Sequence, residues 1–143
     1  MKLYFATNNI HKLKEVQEVV GDSFQIESMR SLGINEDIPE DQLTLQGNAL
    51  QKARFLYDRT GESCFADDTG LEVDALNGAP GVYSARYAGE AKNSLDNMAQ
   101  LLKNMSGIQN RKARFRTVIA LILDGKEYLF EGIVNGTIAE EPR

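Results

Sequence analysis

The stretch FADDTGLEVDALNGAPGVYSARYAGE, residues 65–90, places two adjacent carboxylates, Asp67 and Asp68, at the end of an apolar run. A Gly/Pro-rich loop follows, leading to Ser84 and Arg86. Like charges this close repel, so a divalent cation, nearby lysines or a shared proton should compensate them. Hard carboxylate oxygens suit Mg²⁺, which takes one or two carboxylates and fills the remaining positions with water and phosphate. Mn²⁺ can stand in the same place. Glu40, in an acidic segment, could reach the ion that Asp67 and Asp68 hold, and Lys52 could face the site from a helix. The alternative is that Asp67 and Asp68 are strand-end and turn residues making Asx-type bonds. Arg86 is either a clamp for phosphate or carboxylate or an arginine on a surface loop. Tyr83 and Tyr87 read as packing residues.

A second group lies in Ala6-Thr7-Asn8-Asn9-Ile10-His11-Lys12. A strand that delivers the chain into a helix leaves free amides and a positive dipole end at the helix N-terminus. Thr7, Asn8 and Asn9 can cap that helix and also face a ligand, and Lys12 can swing its ammonium over the same opening. Plain capping by Thr7 or Asn8 beside a solvated lysine is the competing reading. No G-x-x-x-x-G-K phosphate loop occurs in the chain. Together the two groups describe strand-end amides with a lysine, an acidic cluster and an arginine loop, and phosphate with Mg²⁺ is their economical common ligand.

These residues sit in 143 residues carrying 42% hydrophobic and 26% charged side chains, the composition of an ordinary globular domain, read as one domain over 1–143. The net charge of −5 argues against broad nucleic-acid binding, which needs a basic face. The basic run Arg111, Lys112, Arg114, Arg116 alternates along a strand and reads as a solvated face. The longest apolar run, 118–123, is too short to span a bilayer, and no signal-peptide pattern opens the chain. One cysteine, Cys64, excludes an internal disulfide and fits a reducing cytoplasm; its apolar neighbours point to an inert buried thiol. His11 is the only histidine, which excludes a His-rich metal site.

The elements that must position these groups follow from periodicity. Residues 2–6 form a strand, and Ile10, Leu13, Val16 and Val20 recur at helical spacing until Gly21. A strand is expected at 24–27, an irregular acidic loop over 29–45, and a helix from Gly47 to Gly61 with Leu50, Ala53 and Leu56 or Tyr57 on one face. Next come a strand ending near Ala66, the acidic turn and a short strand at 71–73. A helix capped by Asn93 or Ser94 turns Leu95, Met98, Leu101, Leu102 and Met105 inward. Asp124-Gly125 joins strands 113–123 and 127–134 as a hairpin. Helix-linked strands followed by a hairpin predict a mixed sheet flanked by helices, in the α/β class bordering on α+β.

Four blocks then fall into a known order. A-T-N-N-x-x-K at 6–12, N-A-x-x-K-A at 48–53, A-D-D-T-G-L at 66–71 and G-A-P-G-V-Y-S-A-R-Y-A-G at 78–89 resemble the inosine/xanthosine triphosphate pyrophosphatase family across essentially the whole chain. The resemblance implies an elongated mixed sheet, two lobes with a cleft, and a homodimer. It also implies Mg²⁺-dependent hydrolysis of deaminated purine nucleoside triphosphates (ITP, dITP, XTP) to monophosphate and pyrophosphate. On its terms Thr7, Asn8, Asn9, Ile10, His11 and Lys12 line the triphosphate and Lys52 contacts it. Glu40 and Asp68 hold the metal, beside Asp67, and Asp68 accepts the proton of the attacking water. Thr69, Ser84 and Arg86 complete the pocket. Departures exist: IPEDQLTLQGNA around Glu40 differs from the usual acidic-Gly-x-Thr-Phe-x-Glu-Asn-Ala pattern. Relatives also continue past E-P-R at 141–143 with a Phe-Gly-Tyr-Asp-Pro block and a later Ser-His-Arg that hold the purine and part of the triphosphate. The expectation is an incomplete copy of a longer protein. The alternatives are a shortened, catalytically impaired nucleotide-binding form and a Maf-like pyrophosphatase of other nucleotides.

Overall fold

A computed structural model describes residues 1–84, 87–89 and 93–140. The chain is an α/β protein with six strands and three α-helices among these residues: β1 (Lys2–Phe5), α1 (Ile10–Val20), β2 (Gln25–Ser28), α2 (Leu45–Thr60), β3 (Cys64–Val73), β4 (Pro80–Gly81), α3 (Ser94–Asn104), β5 (Lys112–Leu123) and β6 (Lys126–Thr137). The sheet runs β2-β1-β3-β5-β6, with β4 paired to β3. It divides into two compact units, Met1–Asp68 with Val118–Phe130 and Thr69–Thr117 with Glu131–Arg143. No described helix is long and apolar enough to cross a membrane.

In the first unit β1 lies parallel to both β2 and β3, with Leu3 opposite Ile26 and Phe5 opposite Phe65. Each parallel step needs a helical crossover, supplied by α1 and by α2. Because side chains alternate across a strand, β1 and β3 send one set to each helix. Leu3, Phe5, Ile26 and Phe65 pack against Leu13, Val16 and Val20 of α1, and the Phe5 and Phe65 rings stack at 4.4 Å. On the alternate register, Cys64 donates its thiol hydrogen to the Ala53 carbonyl of α2 at 3.3 Å. The buried stripe of α2 holds Leu45, Asn48, Ala49, Lys52, Ala53 and Leu56. Burial of a side chain such as Leu56 contributes about 1.5–3 kcal/mol, whereas Asn48 and Lys52 must have partners to sit in the same stripe.

In the second unit Val73, Leu101 and Met105 form a core with Leu71, Ala75, Leu76, Tyr87, Ile108, Ala113 and Ile138 around them. Gly78 and Gly81 take φ of 91° and 53°, left-handed angles that favour glycine. The hairpin between β5 and β6 likewise turns on Asp124 and Gly125, at φ 50° and 82°.

Several expected boundaries move. The acidic loop contains a 3₁₀ turn at Met29–Leu32, and α2 begins at Leu45, two residues before Gly47, because the Thr44 hydroxyl accepts from the Gly47 N–H as its N-cap. Leu50 lies off the buried stripe of α2, which Ala49, Lys52 and Ala53 occupy. Leu95 and Met98 are exposed, so α3 buries a narrower face than its apolar pattern implied. The largest revision concerns the acidic turn, which does not exist. Asp67 and Asp68 lie inside an uninterrupted β3, held by pairing to β1 at one end and to β4 at the other.

Candidate active site

The first unit contains a change of direction in its strand order. From β1 the chain crosses through α1 to β2 on one side, and β3 lies on the other side of β1. In open α/β sheets ligands bind beyond the carboxyl ends of strands at such a switch point. β1 makes its last bond to β3 from the Ala6 N–H to the Phe65 carbonyl, at 2.9 Å. Asp67 and Asp68 are therefore the next residues of β3 past the end of β1.

Strand alternation separates the two acids. Asp67 shares the α1 register with Phe65, and its carboxylate accepts from Lys12 Nζ at 3.2 Å. Asp68 shares the α2 register with Cys64 and Ala66, and accepts from Asn48 Nδ2 at 3.2 Å. Lys52, one helical turn beyond Asn48, is 8% exposed, and its ammonium pairs with Glu40 at 2.8 Å. Adjacent acids are thus sent to different faces with different partners, which lessens their repulsion without removing it. Burial pushes the Asp68 carboxyl above its ordinary pKa. Lys52 and the Asn48 hydrogen bond pull it down, and Glu40 and Asp67 push it up again.

The turn after β1 is built from its own polar side chains. Asn9 is the N-cap of α1, its Oδ1 accepting from the His11 and Lys12 amides at 3.0 and 3.2 Å. The Thr7 hydroxyl accepts from the Asn9 N–H at 3.1 Å. Asn8 donates to Asp37 at 3.3 Å, tying the turn to the acidic loop, and its own Oδ1 is buried without a hydrogen-bond partner among the described residues. The cap is thus Asn9, not Thr7 or Asn8, and it engages two of the amides expected to face a ligand. Ile10 and His11 are exposed.

Lys12, Asp67, Asp68, Lys52 and Glu40 are brought together in the first unit. Thr69 and Ser84 belong to the second unit, where Thr69 Oγ1 bonds Thr117 Oγ1 at 2.8 Å and Ser84 Oγ accepts from the Leu71 N–H at 2.8 Å. Arg86 lies outside the described residues. The sequence reading quoted Asn48 within the N-A-x-x-K-A block but gave it no role. Its signal was the i, i+4 spacing to Lys52, which puts both on one face of α2.

The described residues hold no group of three metal-ligating side chains. Glu40 and Asp68 nevertheless supply two hard carboxylates that influence each other electrostatically, a donor set that fits a cation keeping water and phosphate in its remaining positions.

Comparison with known proteins places the chain in a family. The Ham1 family profile matches residues 3–143. A Flavobacterium johnsoniae protein named dITP/XTP pyrophosphatase is 54% identical over 140 residues, covering 98% of this chain and 73% of that protein. A Porphyromonas gingivalis protein of the same name is 55% identical over 143 residues, covering 99% and 74%. Among solved structures, the Staphylococcus aureus Ham1 protein superposes with a TM-score of 0.89 at 35% identity, over 98% of this chain and 73% of that one. A HAM1 protein from Coxiella burnetii gives 0.92 at 35% identity, over 100% and 75%. With a family profile spanning nearly every residue and relatives at half identity or more, the chain belongs to the Ham1 family.

Proposed function

We propose that this chain hydrolyses the α–β phosphoanhydride of deaminated purine nucleoside triphosphates (ITP, dITP and XTP), giving monophosphate and pyrophosphate. The observation that carries the reading is the meeting of Lys12, Lys52, Glu40, Asp67 and Asp68 at the β1/β3 switch point, in a chain whose relatives are named dITP/XTP pyrophosphatase. Lys12 and Lys52 bind phosphate oxygens in place of Asp67 and Glu40, so each cation exchanges an internal carboxylate for a substrate oxyanion. Lys52 is suited to this because its low exposure strengthens any charge it meets. Asp68 orients the attacking water and takes its proton; a carboxyl whose proton affinity burial has raised is a better base than a solvated one. Glu40 and Asp68 would hold Mg²⁺, or Mn²⁺, which when bound neutralises phosphate charge. Asn9 keeps the α1 N-terminus in place, and Thr7, Asn8, Ile10 and His11 line the triphosphate. Thr69, Ser84 and Arg86 serve as further substrate contacts. A cytoplasmic homodimer completes the proposal.

The test is a pyrophosphate-release assay with ITP, XTP, dITP, ATP and GTP in Mg²⁺. Turnover of the deaminated purines above ATP and GTP is expected. Triphosphate binding without turnover would instead make the chain an impaired nucleotide-binding form.

A further inference from the structure

Asn48 is 1% exposed, the most deeply buried polar side chain of the first unit. A carboxamide so far from water must satisfy both ends. Its Nδ2 donates to Asp68 Oδ2 at 3.2 Å, and its Oδ1 accepts from the Gln42 N–H at 2.9 Å. Gln42 lies two residues after Glu40 in the acidic loop. One side chain thus joins the strand carrying Asp68 to the loop carrying Glu40. The loop is pressed onto α2 at this point: a Cβ on Gly47 would fall 2.8 Å from the Gln42 Cβ, so the glycine admits the contact. Gln51 anchors the same loop from the next turn of α2, its Oε1 accepting from the Asp41 N–H at 3.1 Å and its Nε2 donating to the Asp41 carboxylate at 2.8 Å.

We propose that Asn48 is a positioning residue: by holding the Asp68 carboxylate and the Gln42 backbone at once, it sets the register between the two carboxylates, Asp68 and Glu40. The inference rests on the proposed roles of those two residues. Asn48 touches neither substrate nor metal in this scheme. It acts by orienting Asp68 and by holding Glu40 within reach of the same ion and of Lys52. Helix packing alone does not require an amide here, since the rest of the buried stripe of α2 is apolar except for Lys52.

Two variants separate the functions of the amide. Asn48→Leu keeps the number of side-chain heavy atoms and the branching and removes both bonds. Asn48→Asp keeps the acceptor for Gln42 and turns the donor facing Asp68 into a second acceptor. Mn²⁺ binding to the nucleotide-free chain is read by electron paramagnetic resonance, Gln42 amide protection by hydrogen exchange, and kcat and KM with ITP by pyrophosphate release. Asn48→Leu should weaken Mn²⁺ binding and lower kcat by about 10- to 100-fold each, with KM moving less, as removal of an outer partner does elsewhere. Gln42 should lose protection in Asn48→Leu and keep it in Asn48→Asp, while kcat falls by about 10-fold or more in both. A lowered melting temperature with Mn²⁺ affinity and kcat within about twofold of the unaltered chain would make Asn48 purely structural and overturn the proposal. If Asn48→Leu fails to fold, Asn48→Asp decides by the same measures. An unaltered chain that binds Mn²⁺ but releases no pyrophosphate would sink the hydrolase reading alone, leaving Mn²⁺ affinity and exchange to judge Asn48. An unaltered chain that binds no Mn²⁺ would remove the ligand pair and the inference with it.

Discussion

Charge is handled differently in the two units of this chain. In the second, Glu72 on β3 receives Arg114 Nε at 2.7 Å and Arg116 Nε at 3.1 Å, and Arg116 reaches on to Glu131 at 3.1 Å. Arg111 spends its guanidinium on the backbone carbonyls of Met105, Ile108, Ile138 and Ala139. The three arginines of the basic run are therefore absorbed into ion pairs and loop closure, each facing a ready acceptor, and Lys112 is exposed. In the first unit, Lys52 is nearly buried with Glu40, while Asp68 is partly buried with an amide as its direct partner and two other carboxylates acting on it. Pairs with one exposed partner, such as Arg114–Glu72 and Arg116–Glu131, contribute about 0–1 kcal/mol each. Taking charge out of water, as in the second kind, costs several kcal/mol per ion before any partner repays it. A fold gains little from that arrangement unless the charges are used, and this contrast supports the site proposed at the β1/β3 switch point.

The comparison can be broken most directly at Asp68. Asp68→Asn should lower turnover by about 10²–10⁴-fold, the range for loss of a general base. The same change should stabilise the chain in chelator at neutral pH. Burial raises the folded-state pKa of Asp68 above its unfolded value. Its favourable contribution is then present below the unfolded pKa, about 3.9, and is lost as pH rises through the higher folded value. At neutral pH the charged form is a liability that asparagine removes. Melting curves of the two proteins should converge in acid and separate as pH rises, with the variant above; a variant melting lower at pH 7 would contradict the burial of that charge.

Next in size are the cations. Lys12→Ala and Lys52→Ala should each raise KM for ITP by about 10- to 100-fold, the equivalent of one charge-assisted bond. Unaltered triphosphate affinity in either would remove that lysine from the site. Glu72→Gln provides the contrast from the second unit: turnover should be unchanged, and stability should fall by about 1 kcal/mol or less for each pair lost, a loss that shrinks in high salt. A large fall in kcat would mean that the Glu72 ladder serves more than structure. The smallest effect concerns Cys64, whose thiol burial pushes up to about 12. Iodoacetamide should leave it unmodified in the native chain and label it after unfolding.

Much of this was legible in the residues because the relevant periods are local. The apolar spacing from Ile10 to Val20, the cap and stop around it, and the Asp124-Gly125 hairpin each depend on neighbours within one turn. Asp67 and Asp68 were read as a turn because adjacent acids and Gly70 carry a loop composition. What keeps them extended is pairing to β1 and β4, from segments the local pattern does not contain. For the same reason Asp67 and Asp68 looked like one pair in sequence and are two separate contacts in the fold. Asn48 went unread because a polar residue on an apolar helix face acquires meaning only when its partners, Asp68 and Gln42, are known to meet there. Residue types identified the chemistry; the switch point that gathers them depends on strand order.

The central claim is that water, set by Asp68, attacks the α-phosphorus. Turnover of ITP by the 143-residue chain in ¹⁸O-enriched water, with the products separated by mass, tests it directly. One ¹⁸O atom is expected in the monophosphate and none in the pyrophosphate. Label in pyrophosphate, or release of labelled orthophosphate, would place the attack at another phosphorus and contradict it.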